Sequence, residues 1–145
     1  MSGTGHLARR WATSLSRREP AEVDTAWAES HLLNGELQLW RRLGAPDRRH
    51  AIVVARRFAS MATWTRDEIA GALLHDIGKL DSPLGTTGRV VATVVGPRTA
   101  RFRRYHDHER IGAEMLVAAG SSPTTIELVR GHGPAATALA NADHV

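Results

Sequence analysis

The segment with the clearest chemical content is His75-Asp76-Ile77-Gly78-Lys79. An adjacent histidine and aspartate place one imidazole beside one carboxylate, and both groups are good ligands for a divalent cation. Because a carboxylate has two oxygens, Asp76 could also bridge two cations. A structural interpretation competes with this one, since such a pair before a Gly-Lys stop is also an ordinary charged helix end.

The usage of histidine and lysine favours the chemical interpretation. The 145-residue chain has eight histidines, and imidazole is a common metal ligand and proton shuttle near neutral pH. Arginine supplies 18 of the 19 basic residues, so Lys79 is the only lysine. A flexible ammonium is not equivalent to a rigid guanidinium, which favours a specific role for Lys79 over simple neutralisation of a helix dipole. The absence of cysteine excludes a thiolate nucleophile, a cysteine-bound metal and a disulfide framework.

The elements that must position these residues are predicted to be helices. Alanine, leucine and arginine dominate, and apolar residues recur at spacings of three and four, which is typical of an all-α protein. The predicted helices cover residues 4–17, 21–32, 35–43, 47–61, 65–76, 107–120 and 122–131, and a short last helix begins at Pro134. Residues 90–95 are β-branched and could form a short helix or a strand, and we favour the helix. Tryptophans 11, 27 and 40 are expected to pack the N-terminal third onto the rest.

Two of these helices carry the first three candidate site residues. The helix over 47–61 is expected to place His50 on the same side as four apolar residues, so that His50 points inward. These four are Val53, Val54, Phe58 and Met61. Thr65 and Glu68 form a capping box that opens the next helix, whose last turn would hold the His-Asp pair.

With these residues in place, the chain resembles the HD-domain superfamily of metal-dependent phosphohydrolases over most of residues 46–145. The pattern of that superfamily is an inward histidine on an early helix, the His-Asp pair, and a distant aspartate on a later helix. It maps onto His50, His75-Asp76 and Asp143. Asp143 lies two residues from the end of this sequence, where fraying is the default, so a bound metal would have to hold it in place.

The resemblance also implies the domain organisation. We expect a compact HD-domain helical bundle over residues 46–145, preceded by an N-terminal helical extension over 1–45. No internal repeat, low-complexity tract or linker interrupts the sequence, so the whole chain, 1–145, is predicted to be a single HD domain.

Two further histidines match the two-metal branch of the superfamily. His108 begins a segment that resembles its His-x-x-x-Gly-Ala-Glu-x-Leu signature, and His132 follows one predicted helix later. His106 competes with His108, but it lacks the four-residue distance to Gly112 and is expected to precede the helix. The resemblance implies six ligands for two metal ions: His50, His75, Asp76, His108, His132 and Asp143. Iron and manganese are the expected metals, with nickel, cobalt and zinc as alternatives.

The substrate side of the site is implied less directly. In the superfamily the lysine after the His-Asp-x-Gly turn often contacts a substrate phosphate, so Asp76 and Lys79 are the predicted catalytic residues. A basic stretch could form a rim that holds further phosphates, although a solvated basic face is the favoured interpretation for most of its arginines. That stretch contains Arg98, Arg101, Arg103 and Arg104. His6, His31 and His144 are interpreted as surface or packing residues.

The resemblance implies hydrolysis of a phosphoester or phosphoanhydride in a nucleotide or similar small phosphate, through a dinuclear metal centre and a metal-bound hydroxide. One alternative is an HD-domain mixed-valent di-iron oxygenase acting on a small polyol or phosphonate. Another is a non-enzymatic module that binds a nucleotide or a partner. The chain lacks the adjacent histidines and the Gly-Tyr-Pro segment usual in cyclic-dinucleotide phosphodiesterases, which makes those substrates less favoured.

Charge and hydropathy limit the partners. A net charge of +4 suits an anionic ligand, but the basic residues are scattered and only 5% of residues are aromatic, which disfavours nucleic acid. We see no apolar run of membrane-spanning length and no signal peptide, so we predict a cytoplasmic protein. The N-terminal helices, a second subunit of a homo-oligomer, or nothing could close the pocket.

Overall fold

The structure is a computed structural model that describes residues 17–81 and 97–144, with only the backbone described over 97–106. Most of the helix predicted over 4–17, together with Trp11, His6 and residues 90–95, lies outside the described residues. The predictions for these segments therefore stay predictions.

The described residues are helical, and none of them lies in a strand, which confirms the all-α prediction. They form seven α-helices and one short 3-10 helix. In chain order these are α1 (Glu22–Glu29), α2 (Asn34–Arg42), α3 (Ala45–Met61), α4 (Arg66–Leu73), the 3-10 helix (Ile77–Asp81), α5 (Pro97–Ala118), α6 (Pro123–Val129) and α7 (Ala136–Asp143). None of the described helices is long and apolar enough to cross a membrane.

Local capping signals correctly predicted where two helices begin. At α4, Thr65 Oγ1 accepts from the Glu68 amide at 3.3 Å, and Glu68 Oε1 accepts from the Thr65 amide at 2.9 Å. At α6, the Ser122 hydroxyl accepts from the Thr125 amide at 3.3 Å, and Pro123 occupies the first helical position. Both devices satisfy amides that a helix start would otherwise leave without a partner.

Two predicted boundaries were wrong. Helix α4 ends at Leu73, so His75-Asp76 lies in the turn between α4 and the 3-10 helix rather than in a last helical turn. Helix α5 begins at Pro97 instead of Asp107, because proline suits a first helical position and the arginines that follow are good helix formers. His106 therefore lies within α5, and the expectation that it precedes the helix was also wrong.

The core contains residues from every described α-helix. The largest fully buried apolar side chains are Trp40, Phe58, Leu73, Leu74, Ile77 and Leu116. Trp27 packs against the edge of this core and Trp40 lies within it, as the sequence predicted. Helices α1 and α2 are thus packed onto the helices that follow.

The buried apolar face of helix α3 is narrower than predicted. Val54 and Phe58 follow His50 at intervals of four residues and are fully buried. Val53 and Met61, expected on the same side, are 47% and 46% exposed. Successive helical residues are about 100° apart around the axis, so Val53 projects away from the face that Val54 presents to the core.

A buried carboxylate joins α2 to two distant parts of the chain. Glu36 is fully buried. Its Oε1 accepts from the Leu33 amide at 2.8 Å and from Arg66 Nη1 at 3.1 Å. Its Oε2 accepts from the Ser121 hydroxyl at 2.7 Å. These bonds fix the start of α2 against the start of α4 and the turn that follows α5, and we call this group of four residues the Glu36 clasp.

Candidate metal centre

His75 occupies the turn after α4 and has one ring nitrogen without a hydrogen bond. Its Nδ1 donates to the Ala72 carbonyl at 2.7 Å, so Nε2 is the nitrogen that carries the lone pair. Nε2 is buried and has no hydrogen-bond partner among the described residues. A backbone carbonyl on one ring nitrogen is the arrangement that typically orients the other toward a metal.

His50 on α3 and Asp143 on α7 converge on the same point. His50 Nε2 donates to Asp143 Oδ1 at 3.0 Å, and the same oxygen lies 3.5 Å from His75 Nε2. One donor atom from each of these three residues lies within 4.8 Å of the others. Two imidazole nitrogens and a carboxylate oxygen are a donor set that suits a divalent transition metal ion. The buried Nε2 of His75, which has no hydrogen bond, fits such an ion because coordination would satisfy it.

Asp76 and Lys79 extend this cluster along the chain. Asp76 Oδ2 lies 3.4 Å from His75 Nε2 and accepts a hydrogen bond from Lys79 Nζ at 3.0 Å. The lysine, at the 3-10 helix, is 40% exposed. The predicted catalytic pair is therefore in direct contact beside the three converging side chains.

The electrostatics of the cluster keep its carboxylates ionised. The hydrogen bond from His50 and the nearby His75 imidazole hold the pKa of Asp143 far below the usual aspartate range, although burial opposes this. Burial alone would raise the pKa of Asp76, but the charges of His75 and Lys79 outweigh it and lower that pKa. Burial likewise opposes a charged His75, yet Asp143 and Asp76 raise its pKa above the ordinary histidine value. The surroundings thus favour positive charge at this point, as a cation site requires.

All six predicted ligand residues and Lys79 line one cleft of about 760 Å³. This volume is typical of a site for a small molecule. The six are His50, His75, Asp76, His108, His132 and Asp143. Only His50, His75 and Asp143 form the tight cluster, whereas His108 reaches the cleft from α5 and His132 from the turn after α6.

His132 is exposed and contacts a carboxylate. Its Nδ1 lies 3.3 Å from Glu127 Oε2, and its side chain is 66% exposed. Glu127 also accepts a hydrogen bond from Arg130 Nη1 at 2.9 Å. The contact to Glu127 leaves Nε2 of His132 available as a donor atom. The preceding Gly131 has a φ of +82°, a conformation that favours glycine and turns the chain sharply before His132.

The sequence interpretation missed three residues whose polar side chains line the cleft: Glu109, Arg130 and His144. Each is one or two residues from a predicted ligand, and this proximity was the available signal. His144 is exposed, as predicted, but it is part of the cleft lining. His31 bonds to the Trp27 carbonyl at 2.7 Å and is not among the cleft residues, in agreement with a packing role.

The predicted arginine rim falls on the first turns of α5. Arg98, Arg101 and Arg104 belong to this helix, but their side chains lie outside the described part of the chain. The same holds for the side chain of His106. Phosphate contacts by these arginines stay a prediction.

Comparison with protein-family models matches residues 48–139, more than half of the chain, to the HD domain. The matched range includes five of the six predicted ligands, and Asp143 lies just beyond its end. Comparisons with curated proteins and with solved structures gave no match.

Proposed function

Because the chain belongs to the HD-domain family, whose members are mostly metal-dependent hydrolases, we propose that it hydrolyses a phosphoester or phosphoanhydride of a nucleotide or similar small phosphate. The observation that carries the proposal is the convergence of His50 Nε2, His75 Nε2 and Asp143 Oδ1 within 4.8 Å of one another. HD domains bind divalent metals, and the buried Nε2 of His75, which has no hydrogen bond, gives this cluster an atom that a metal would satisfy.

We further propose that the centre is dinuclear. The first ion would be held by His50, His75, Asp76 and Asp143. Asp76 would bridge to the second ion, for which His108 and His132 supply imidazoles at the same cleft. Iron and manganese are the proposed metals. When bound, the two ions would activate water as the nucleophile and neutralise negative charge on the phosphoryl oxygens.

The chain's own cations would bind and orient the phosphate. Lys79 Nζ is held at 3.0 Å from Asp76, which keeps the ammonium at the edge of the proposed bridging ligand. From there it can contact a phosphoryl oxygen and stabilise charge that develops on it. Arg130 also lines the cleft and supplies a second, planar cation that can make two parallel bonds to a phosphate.

An assay of phosphate release tests this function. Protein loaded with manganese or iron should release phosphate from at least one member of a panel of nucleotides. His75→Ala and Asp76→Ala should lower the rate by about 100-fold or more, since losing even an outer-shell partner of a metal ligand costs 10- to 100-fold. His31→Ala is the matched control because His31 is a packed histidine that is not part of the cleft.

Two results would contradict the proposal. One is complete inactivity over the panel while both metals are demonstrably bound. The other is a His75→Ala variant that retains as much activity as His31→Ala. If an iron-loaded, inactive protein also gave a mixed-valent electron paramagnetic resonance signal that responds to a polyol or phosphonate, the oxygenase would replace the hydrolase.

A further inference from the structure

The 3-10 helix that follows the His75-Asp76 turn touches helix α5 through two glycines. A Cβ added to Gly78 would lie 2.0 Å from the His108 carbonyl oxygen and 3.0 Å from the Gly112 amide nitrogen. A Cβ added to Gly112 would lie 3.1 Å from the Gly78 nitrogen and 3.2 Å from Ile77 Cγ2. The two backbones therefore pack directly against each other, and we call this contact the glycine seat.

Glycine is required at the seat because there is no room for a Cβ atom, and not because of the backbone conformation. Among the described glycines, only Gly120, Gly131 and Gly133 have a positive φ. An alanine at Gly78 would therefore meet no backbone strain of its own, but it would collide with a helix carbonyl that cannot rotate away. The turn and α5 would have to separate by about an ångström or more, whereas alanine at Gly112 requires only a few tenths of an ångström.

The seat lies between the two halves of the proposed centre. In the 3-10 helix, Gly78 follows Asp76 by two residues. On α5, the atom that Gly78 contacts is the carbonyl oxygen of His108 itself. Gly112 lies four residues further along α5, so it shares a helix face with His108. The separation between the two backbones thus sets how far the His108 imidazole stands from the carboxylate of Asp76.

We propose that Gly78 and Gly112 are positioning residues that set the spacing between the two metal sites. This inference rests on the dinuclear centre proposed above. Metal–ligand distances tolerate changes of only about 0.2 Å, so a displaced α5 would remove His108 from the second ion. The ligands of the first ion come from α3, the turn and α7, so a displacement of α5 alone would spare them.

The test is a titration of the metal-free full chain with Mn²⁺, read by calorimetry and by electron paramagnetic resonance. Wild type should bind two ions with an exchange-coupled signal. Gly112→Ala should keep the first ion and weaken the second by about 10-fold or more, the scale of losses around metal ligands. Gly78→Ala should give no coupled pair of ions, because the larger clash acts on α5 and also on the turn that carries His75 and Asp76. Alanine is a better helix former than glycine, so a loss of affinity for the second ion in Gly112→Ala cannot come from a less stable α5.

Gly35→Ala is the matched control. Its Cβ would lie 2.2 Å from the carbonyl oxygen of Ala119, the first residue after α5, so it also strains this helix, but at the end about 16 Å from His108. It should be less stable than wild type and still bind two coupled ions. Loss of the second ion in Gly35→Ala would overturn the inference, since strain anywhere on α5 would then be enough to remove that ion.

Two other results distinguish a failure of this inference from a failure of the proposed dinuclear centre. Two ions with wild-type affinities in Gly112→Ala and Gly78→Ala would overturn the inference alone. A wild-type chain that binds only one ion would contradict the dinuclear centre itself, and the inference with it. If Gly78→Ala does not fold, the affinity of Gly112→Ala for the second ion still tests the inference.

Discussion

At the scale of single residues, His75 has the clearest assignment. Its Nδ1 is held by the Ala72 carbonyl, and its Nε2 is buried without a hydrogen-bond partner among the described residues. The sequence predicted a metal role for this histidine, because the His-Asp pair is a local pattern. The orientation of a ring depends on contacts that no local pattern encodes. For this reason the contact between His132 and Glu127 could not be predicted, although the two residues are only five apart.

This contact leads to a prediction for Glu127. If His132 is a ligand of the second ion, the carboxylate that contacts its Nδ1 should fix the ring and raise its basicity. Glu127→Gln should then weaken binding of the second ion by about 10-fold, within the range known for outer-shell partners. The affinity is measured by Mn²⁺ titration.

The control for this prediction is Glu114→Gln. Glu114 is also an exposed glutamate paired with an arginine, Arg110 Nη1 at 3.1 Å, and the two lie in successive turns of α5. It should bind both ions as wild type does. Equal affinities in the two variants would contradict a positioning role for Glu127.

At the scale of helices, the sequence located those whose ends carry strong local signals. Thr65 and Ser122 mark helix starts because each side chain bonds a backbone amide three residues away. The start of α5 was missed because a run of arginines carries no apolar periodicity. The Glu36 clasp was not predicted at all, since its partners Arg66 and Ser121 are 30 and 85 residues away in the chain.

The clasp gives a prediction on stability. Glu36→Ala should lower the free energy of unfolding by about 3 kcal/mol, because it leaves a partly buried arginine, an amide and a hydroxyl without their common acceptor. Denaturant unfolding followed by circular dichroism measures this change. Glu29→Ala, which breaks an ion pair with the largely exposed Arg41, should change the midpoint little. A Glu36→Ala midpoint equal to that of Glu29→Ala would show that the clasp contributes no stability.

At the scale of the whole molecule, the site joins distant parts of the chain. His50 and Asp143 are 93 residues apart, and their contact joins α7 to α3 in the lining of the cleft. The ordered set of histidines and aspartates predicted this meeting through the family resemblance, whereas helix periodicity alone could not. Buried residues on α1 and α2 belong to the same core as those of the later helices. The boundary at residue 45 between an extension and an HD core stays a prediction.

Anomalous X-ray diffraction from a manganese-loaded crystal tests most directly whether this cleft holds two metal ions. We predict two anomalous peaks. The first should lie about 2.0–2.2 Å from His50 Nε2, His75 Nε2 and an oxygen of Asp143, by analogy with typical metal–ligand distances. The second should lie at similar distances from His108 and His132, with Asp76 between the two ions. No peak within bonding distance of His75 Nε2 would contradict the account, and a single peak there would contradict the dinuclear centre.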